Sequence, residues 1–210
     1  MKQIAPIEAV VFDLLTALLD SWSLWNRAAG SKADGLRWRR AYLELTYGCG
    51  AYRSYEDLVR EAAAQAGVAT SAADALTAHW HTLQPWPEVP RVLEDLADRG
   101  VRLGVVTNCS TRLGRQAAGQ VGVPFAVVVT SEETGYYKPR PEPYRAALDR
   151  LGTDPARTLF VAGSPADIPG AAGVGMPVFW HNRAGLPFVA DRARPLVIAD
   201  TLDPLKELVG

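Results

Sequence analysis

The sequence predicts an α/β protein: a doubly wound parallel sheet with a small helical domain inserted after its first strand. Three observations carry that expectation. Short runs rich in β-branched residues alternate with helical stretches along most of the chain. The runs are apolar throughout, as strands covered on both faces are. One long segment near the N-terminus breaks the alternation and shows helical spacing alone.

The first run is Ala9, Val10, Val11 and Phe12, closed by Asp13. Residues 21–84 follow with no convincing strand, while apolar side chains recur at helical spacing in Trp38, Ala41, Tyr42 and Leu45 and again in Leu58, Ala62 and Ala63. Pro85, Trp86 and Pro87 end that segment. Five further strands are expected at 103–106, 125–129, 159–161, 177–180 and 196–198, with helices at 91–98, 111–120, 141–151 and 167–173. This divides the chain into an α/β core of residues 1–20 and 85–210 and a helical cap of residues 21–84.

Composition narrows the function classes. The chain has 210 residues, and 22 basic against 23 acidic residues leave a formal charge of −1, so no global field favours nucleic acid or an anionic membrane. Cys49 and Cys109 lie far apart and suggest neither a disulfide framework nor a zinc site, which fits a reducing, cytoplasmic setting. The apolar run after the N-terminus is broken by Asp13 and lacks the pattern of a signal peptide, and no uninterrupted run of about 20 apolar residues could span a bilayer. His79 and His81 flank Trp80 in a spacing poorly suited to a metal pair.

In a doubly wound sheet, ligands bind beyond the carboxyl ends of the strands. Asp13, Thr107 with Asn108, and Ser164 with Asp167 all follow expected strands, and Lys138 precedes the helix that starts near Pro141. Each has a plainer reading: Asp13, Thr107, Asn108 and Asp167 are residue types that cap helices. Cys109 has no base beside it in sequence and is not assigned a catalytic role.

Taken in order, these segments resemble the four motifs of the haloacid dehalogenase superfamily: Val-Val-Phe-Asp13, Val-Val-Thr107-Asn108, Tyr-Lys138-Pro-Arg-Pro, and Phe-Val-Ala-Gly-Ser164-Pro-Ala-Asp167. The resemblance covers nearly the whole core, implies its Rossmann-like fold, and places a cap where that family inserts one. Cap residues 36–47 and Tyr144 are most similar to the L-2-haloacid dehalogenase subfamily, which implies that Arg39 points into the site and that Tyr144 lies near the nucleophile. For Arg39 a solvated role beside Arg37 and Arg40 competes, and for Tyr144 core packing does. His181 to Gly185 is similar to a late loop of the subfamily, with packing an equal reading.

The resemblance implies Asp13 as a nucleophile that is transiently esterified. Lys138 would keep Asp13 ionised, since an opposite charge within roughly 4–6 Å favours the charged form. Asp167 would orient Lys138 or the hydrolytic water. Thr107, Asn108, Ser164, Arg39 and Tyr144 would bind a small anionic substrate. A homodimer is admitted by the resemblance.

Departures from the pattern bear on the reaction. Phosphatases of the superfamily carry an acid two residues after the nucleophile, where this chain has Leu15, and a Mg²⁺-holding carboxylate where it has Gly163. A departing halide needs no general acid, so displacement at carbon without a cofactor is the favoured expectation. A Mg²⁺-dependent phosphatase and a non-catalytic ligand binder are the alternatives, and Mg²⁺ enters only under the first of these. Dehalogenases carry Gly-Thr where this chain has Thr16-Ala17, and Ser and Asn where it has Ala162 and Ser164, so a loss of donors around Asp13 is also expected.

Overall fold

A computed structural model describes residues 5–187 and 193–209; of the expected core, residues 1–4, 188–192 and 210 lie outside them. Its centre is a six-stranded sheet, all parallel, in the order β3-β2-β1-β4-β5-β6. The strands are β1 (Ala9–Asp13), β2 (Arg102–Thr107), β3 (Val127–Thr130), β4 (Thr158–Ala162), β5 (Val178–His181) and β6 (Val197–Ala199). The third begins two residues later than the sequence predicts. The chain moves outward from β1 to β2 and β3, then returns to the other side for β4, so strand order reverses between β1 and β4. That reversal opens a crevice at the carboxyl ends of these two strands.

The period of two along each strand sorts side chains between two apolar layers. Val10, Phe12, Leu103, Val105, Leu159, Val161 and Phe179 face one layer. Ala9, Val11, Val106, Phe160, Ala162 and Val178 face the other.

Ten α-helices appear among the described residues. Four lie in the inserted segment: α1 (Ser21–Ala29), α2 (Lys32–Gly48), α3 (Tyr55–Gln65) and α4 (Ser71–Ala78). Asp20, Ser31 and Ser54 cap the first three by accepting from backbone amides three residues on, which satisfies donors that a helix start otherwise leaves open. After them come α5 (Val89–Asp98), α6 (Thr111–Gly119), α7 (Ser131–Thr134), α8 (Pro141–Leu151), α9 (Asp167–Gly173) and α10 (Leu205–Leu208). The short α7 and α10 were not expected; α7 is started by a capping box between Thr130 and Glu133. Helix α5 buries Val89, Val92, Leu93 and Leu96, a single helical stripe, toward the first layer. Tyr144, Ala147, Leu148 and Leu151 of α8 and Ile168 and Ala171 of α9 cover the second.

The cap joins the core through two neighbouring segments. Leu19 and Pro85 form an antiparallel bridge, Asp20 N donates to Gln84 O at 2.9 Å, and Trp86 N donates to Leu18 O at 3.0 Å. On its far side the cap is held down again: Tyr42 Oη donates to Asn108 O at 2.9 Å, Tyr137 Oη to Arg53 O at 2.8 Å, and Ser110 Oγ to Glu56 at 2.9 Å. Cap and core share one continuous apolar cluster that includes Trp25, Trp38 and Trp80. No helix among the described residues is long and apolar enough to cross a membrane.

Candidate active site

Asp13 ends β1, and the chain turns back over it. Its Oδ2 accepts from the backbone amides of Thr16 at 2.9 Å and Ala17 at 3.2 Å and from the Thr16 hydroxyl. Its Oδ1 faces Lys138, whose Nζ lies 2.7 Å away and also reaches Asp167 Oδ1 at 3.2 Å. All three side chains are buried.

The electrostatics follow from this geometry. Burial alone would raise the Asp13 carboxyl, but the Lys138 ammonium and the donors of Thr16 outweigh it and hold Asp13 below its ordinary value. Burial also acts against Lys138, and its two carboxylates reverse that and raise it. Asp167 has fewer donors, so burial pushes it up to about 6 despite Lys138. The two carboxyls of one coupled cluster are therefore drawn apart, Asp13 ionised and Asp167 poised near neutrality.

The Thr16 hydroxyl corrects the expectation that donors around Asp13 are lost. A Cβ on Gly163 would lie 2.1 Å from Thr16 Oγ1 and 2.4 Å from Ala17 N, so the bare glycine is what admits the threonine. The same contact excludes any side chain, and hence any metal-binding carboxylate, at position 163. Asp13 Oδ2 is held by its own turn and Lys138 lies between Asp13 Oδ1 and Asp167 Oδ1, so a donor set already occupied by a cation at both carboxylates fits Mg²⁺ poorly, and no cluster of three potential ligands occurs among the described residues.

Above Asp13 lies a cavity of about 60 Å³. The core wall supplies Asp13, Lys138, Asp167, Ser164 and Asn108, with Leu15 as an apolar patch beside the carboxylate. The cap wall supplies Trp25, Arg39, Leu43 and three tyrosines, Tyr42, Tyr47 and Tyr55. Arg37 and Arg40 stay exposed, while Arg39 turns inward, its guanidinium 4.0 Å from the Trp22 ring centroid and donating to Ser21 Oγ at 3.1 Å. Among the described residues it has no carboxylate in ion-pair contact. Burial lowers it from its ordinary value, and the charge of Asp13 opposes that.

Of the eight candidate residues, six meet at this cavity: Asp13, Lys138, Asp167, Arg39, Asn108 and Ser164. Two do not line it. Thr107 is fully buried in β2 with its hydroxyl against Cys109 Sγ at 3.5 Å, because strand alternation turns it beneath the site. Tyr144 stands behind Asp167, within 3.3 Å of its carbonyl and 3.5 Å of its Oδ1, its ring packed edge-on to Phe160. Gly170 permits this, since a Cβ there would meet Tyr144 Oη at 2.8 Å.

Asn108 also works differently from the expectation. Its Oδ1 accepts from Lys138 N at 2.8 Å and Ser131 Oγ at 3.0 Å, and its Nδ2 donates to Lys138 O at 3.1 Å, so its amide chiefly positions the lysine. His181 is a packing residue: fully buried, it holds Ala17 O at 2.7 Å and Asp200 O at 3.2 Å. Burial pushes the Cys109 thiol up to about 12, which leaves it unreactive. Thr16 and Tyr55 were not anticipated. A Thr three residues after a strand-end Asp was a usable signal for the first, whereas nothing local marks which cap tyrosine faces the cavity.

A family model described as haloacid dehalogenase-like hydrolase matches residues 7–175. Haloacetate dehalogenase H-2 of Moraxella sp. (strain B) is 28% identical over 97% of this chain and 98% of its own length. (S)-2-haloacid dehalogenase 2 of Pseudomonas sp. (strain CBS-3) is likewise 28% identical, over 97% and 96%. A solved L-2-haloacid dehalogenase superposes with a TM-score of 0.87 at 26% identity, covering 98% of this chain and 99% of the other. A phosphatase of the same superfamily, from Thermococcus onnurineus, reaches 0.66 at 27% identity, over 97% of this chain and 98% of its own. The family model spans most of the chain, and the chain belongs to the haloacid dehalogenase-like hydrolases.

Proposed function

We propose that the protein is a metal-independent hydrolase of short 2-haloacids, with Asp13 as nucleophile. The observation that carries this reading is the pairing across one small cavity of an ionised, lysine-held carboxylate with Arg39, a cation that lacks a carboxylate partner among the described residues. A half-buried cation in that condition can take an anion as its partner. The cavity is small, at about 60 Å³. That suits a haloacetate or halopropionate. The names of the relatives point the same way.

In the first step an Asp13 carboxylate oxygen bonds to the carbon bearing the halogen, and the halide leaves with the bonding electron pair. Lys138 keeps Asp13 ionised before the step, and Arg39 offsets the charge of the substrate. In the second step water attacks the ester carbonyl of Asp13 and loses one proton to Asp167; the C–O bond to the product breaks as its alkoxide takes up the water's second proton, which releases a 2-hydroxyacid and restores the Asp13 carboxylate, and Asp167 then returns its proton to solvent. Leu15 can donate no proton, which the halide departing in the first step does not require but the alkoxide displaced from a phosphate ester would.

The test sets halogenated short-chain acids beside p-nitrophenyl phosphate, with and without EDTA, reading halide and phosphate. Halide release insensitive to EDTA is expected, with ¹⁸O from labelled water entering Asp13 rather than the first-turnover product. Asp13→Asn abolishes turnover, because an amide is a poor nucleophile. Phosphate release restored by Mg²⁺ after chelation would put the phosphatase in its place, and ¹⁸O in the first product would remove the covalent step.

A further inference from the structure

Four tyrosines are buried among the described residues: Tyr42, Tyr55, Tyr137 and Tyr144. Three of their hydroxyls have partners, on Asn108 O, Arg53 O and Asp167. The fourth does not. Tyr55 Oη is buried and has no hydrogen-bond partner among the described residues, at a side chain only 1% exposed, and the residue is one of those that line the cavity above Asp13.

The ring cannot turn away. Tyr55 is the first residue of α3, directly after the cap residue Ser54, and its ring is wedged edge-on against Tyr42 at 5.5 Å and Trp80 at 5.9 Å. Burial holds the phenol well above its ordinary value, so it stays protonated and can donate. A buried hydroxyl without a partner is disfavoured, and such a group in a native site calls for an explanation.

Displacement at carbon requires the leaving group to depart on the side opposite the nucleophile. Asp13 belongs to the core wall, so the halogen of a reacting acid points toward the cap wall, where Tyr55 and Arg39 lie. We propose that the Tyr55 hydroxyl is the donor that takes the halide as it leaves. This rests on the dehalogenase reading of the site. No proton changes owner in the step: the carbon–halogen electron pair goes to the halide, and the phenol O–H turns toward the charge that forms.

Tyr55→Phe, compared with the intact protein on chloroacetate, bromoacetate and iodoacetate, tests this. Removal of a hydrogen bond to a developing anion lowers kcat on chloroacetate by about ten- to a hundredfold. The loss shrinks from chloride to bromide to iodide, as their strength as acceptors falls, with little change in KM. The ligand-free variant melts at or above the temperature of the intact protein, since the change removes an unsatisfied hydroxyl; a merely structural tyrosine would show the opposite. Equal losses for all three halogens, or none, overturn the proposal. If the intact protein releases no halide, the dehalogenase reading falls by itself. Sodium bromide then decides: thermal protection of the intact protein that Tyr55→Phe lacks keeps Tyr55 as an anion donor, and equal or absent protection overturns it.

Discussion

The two walls of the cavity are built on opposite principles. On the core wall the charged groups are satisfied by one another: Lys138 lies between Asp13 and Asp167, and Asp13 Oδ2 is held by its own turn. On the cap wall Tyr42 is satisfied by Asn108 O, but two polar groups are left wanting. Among the described residues Arg39 has an aromatic face and a serine hydroxyl but no carboxylate, and the Tyr55 hydroxyl has no hydrogen-bond partner. The difference teaches where each job resides. A wall that satisfies itself is set before any ligand arrives, and a wall that does not is completed by one.

The contrast breaks first at Lys138. Lys138→Met leaves two buried carboxylates without their cation, so a loss of about 3–5 kcal/mol is expected by urea denaturation, together with loss of halide release. A drop below about 1 kcal/mol would mean that the core wall is not held together by this pair, since that is the range of an exposed ion pair.

Arg39→Gln is the matching change on the cap wall. It breaks no ion pair among the described residues and gives up a cation–π contact and one hydrogen bond to Ser21, so stability falls by about 1–2 kcal/mol at most. The substrate KM rises by about ten- to a hundredfold, because a charge-assisted partner is gone. Equal destabilisation by the two variants would erase the difference between the walls.

The smallest effect sharpens the comparison within the core wall. Asp167 is raised, by burial first, to about 6 from an ordinary value of 3.8. The folded protein therefore binds more protons than the unfolded chain between these values, and Asp167 makes stability fall as pH rises from about 4 to about 6. Asp13, held low, has the opposite sign: its contribution is present above the ordinary carboxyl value and is lost as pH falls through its lower folded value. Denaturation at several pH values should show Asp167→Asn gaining on the intact protein through the range from 4 to 6. Initial rates of the intact protein should rise through about pH 6 as the base ionises. A flat rate profile there would remove Asp167 as the base of the hydrolytic step.

Much of the site was legible because its residues stand at ends of elements. Asp13, Asn108, Ser164 and Asp167 all follow strands whose apolar runs are plain in the sequence, and a parallel sheet brings all its strand ends to one edge. Thr107 comes from the same reading and falls just short of the cavity, as does Tyr144, which the family resemblance alone implies. A strand turns alternate residues to opposite faces, and which face meets the cavity depends on what packs above it.

The amino-acid sequence by itself determined the alternating α/β order, the helical insert after the first strand, and the set of charged residues that gather at the carboxyl edge. These follow from periodicities of 2 and 3.6 residues, which are local and survive without any long-range contact. Tertiary structure alone decided which of Arg37, Arg39 and Arg40 turns inward, that Thr16 occupies the space Gly163 leaves open, and that Tyr55 keeps an unanswered hydroxyl. Each of those outcomes depends on groups far apart in sequence, as the Lys138–Asp13 contact does across 125 positions, and only packing brings such groups to one point.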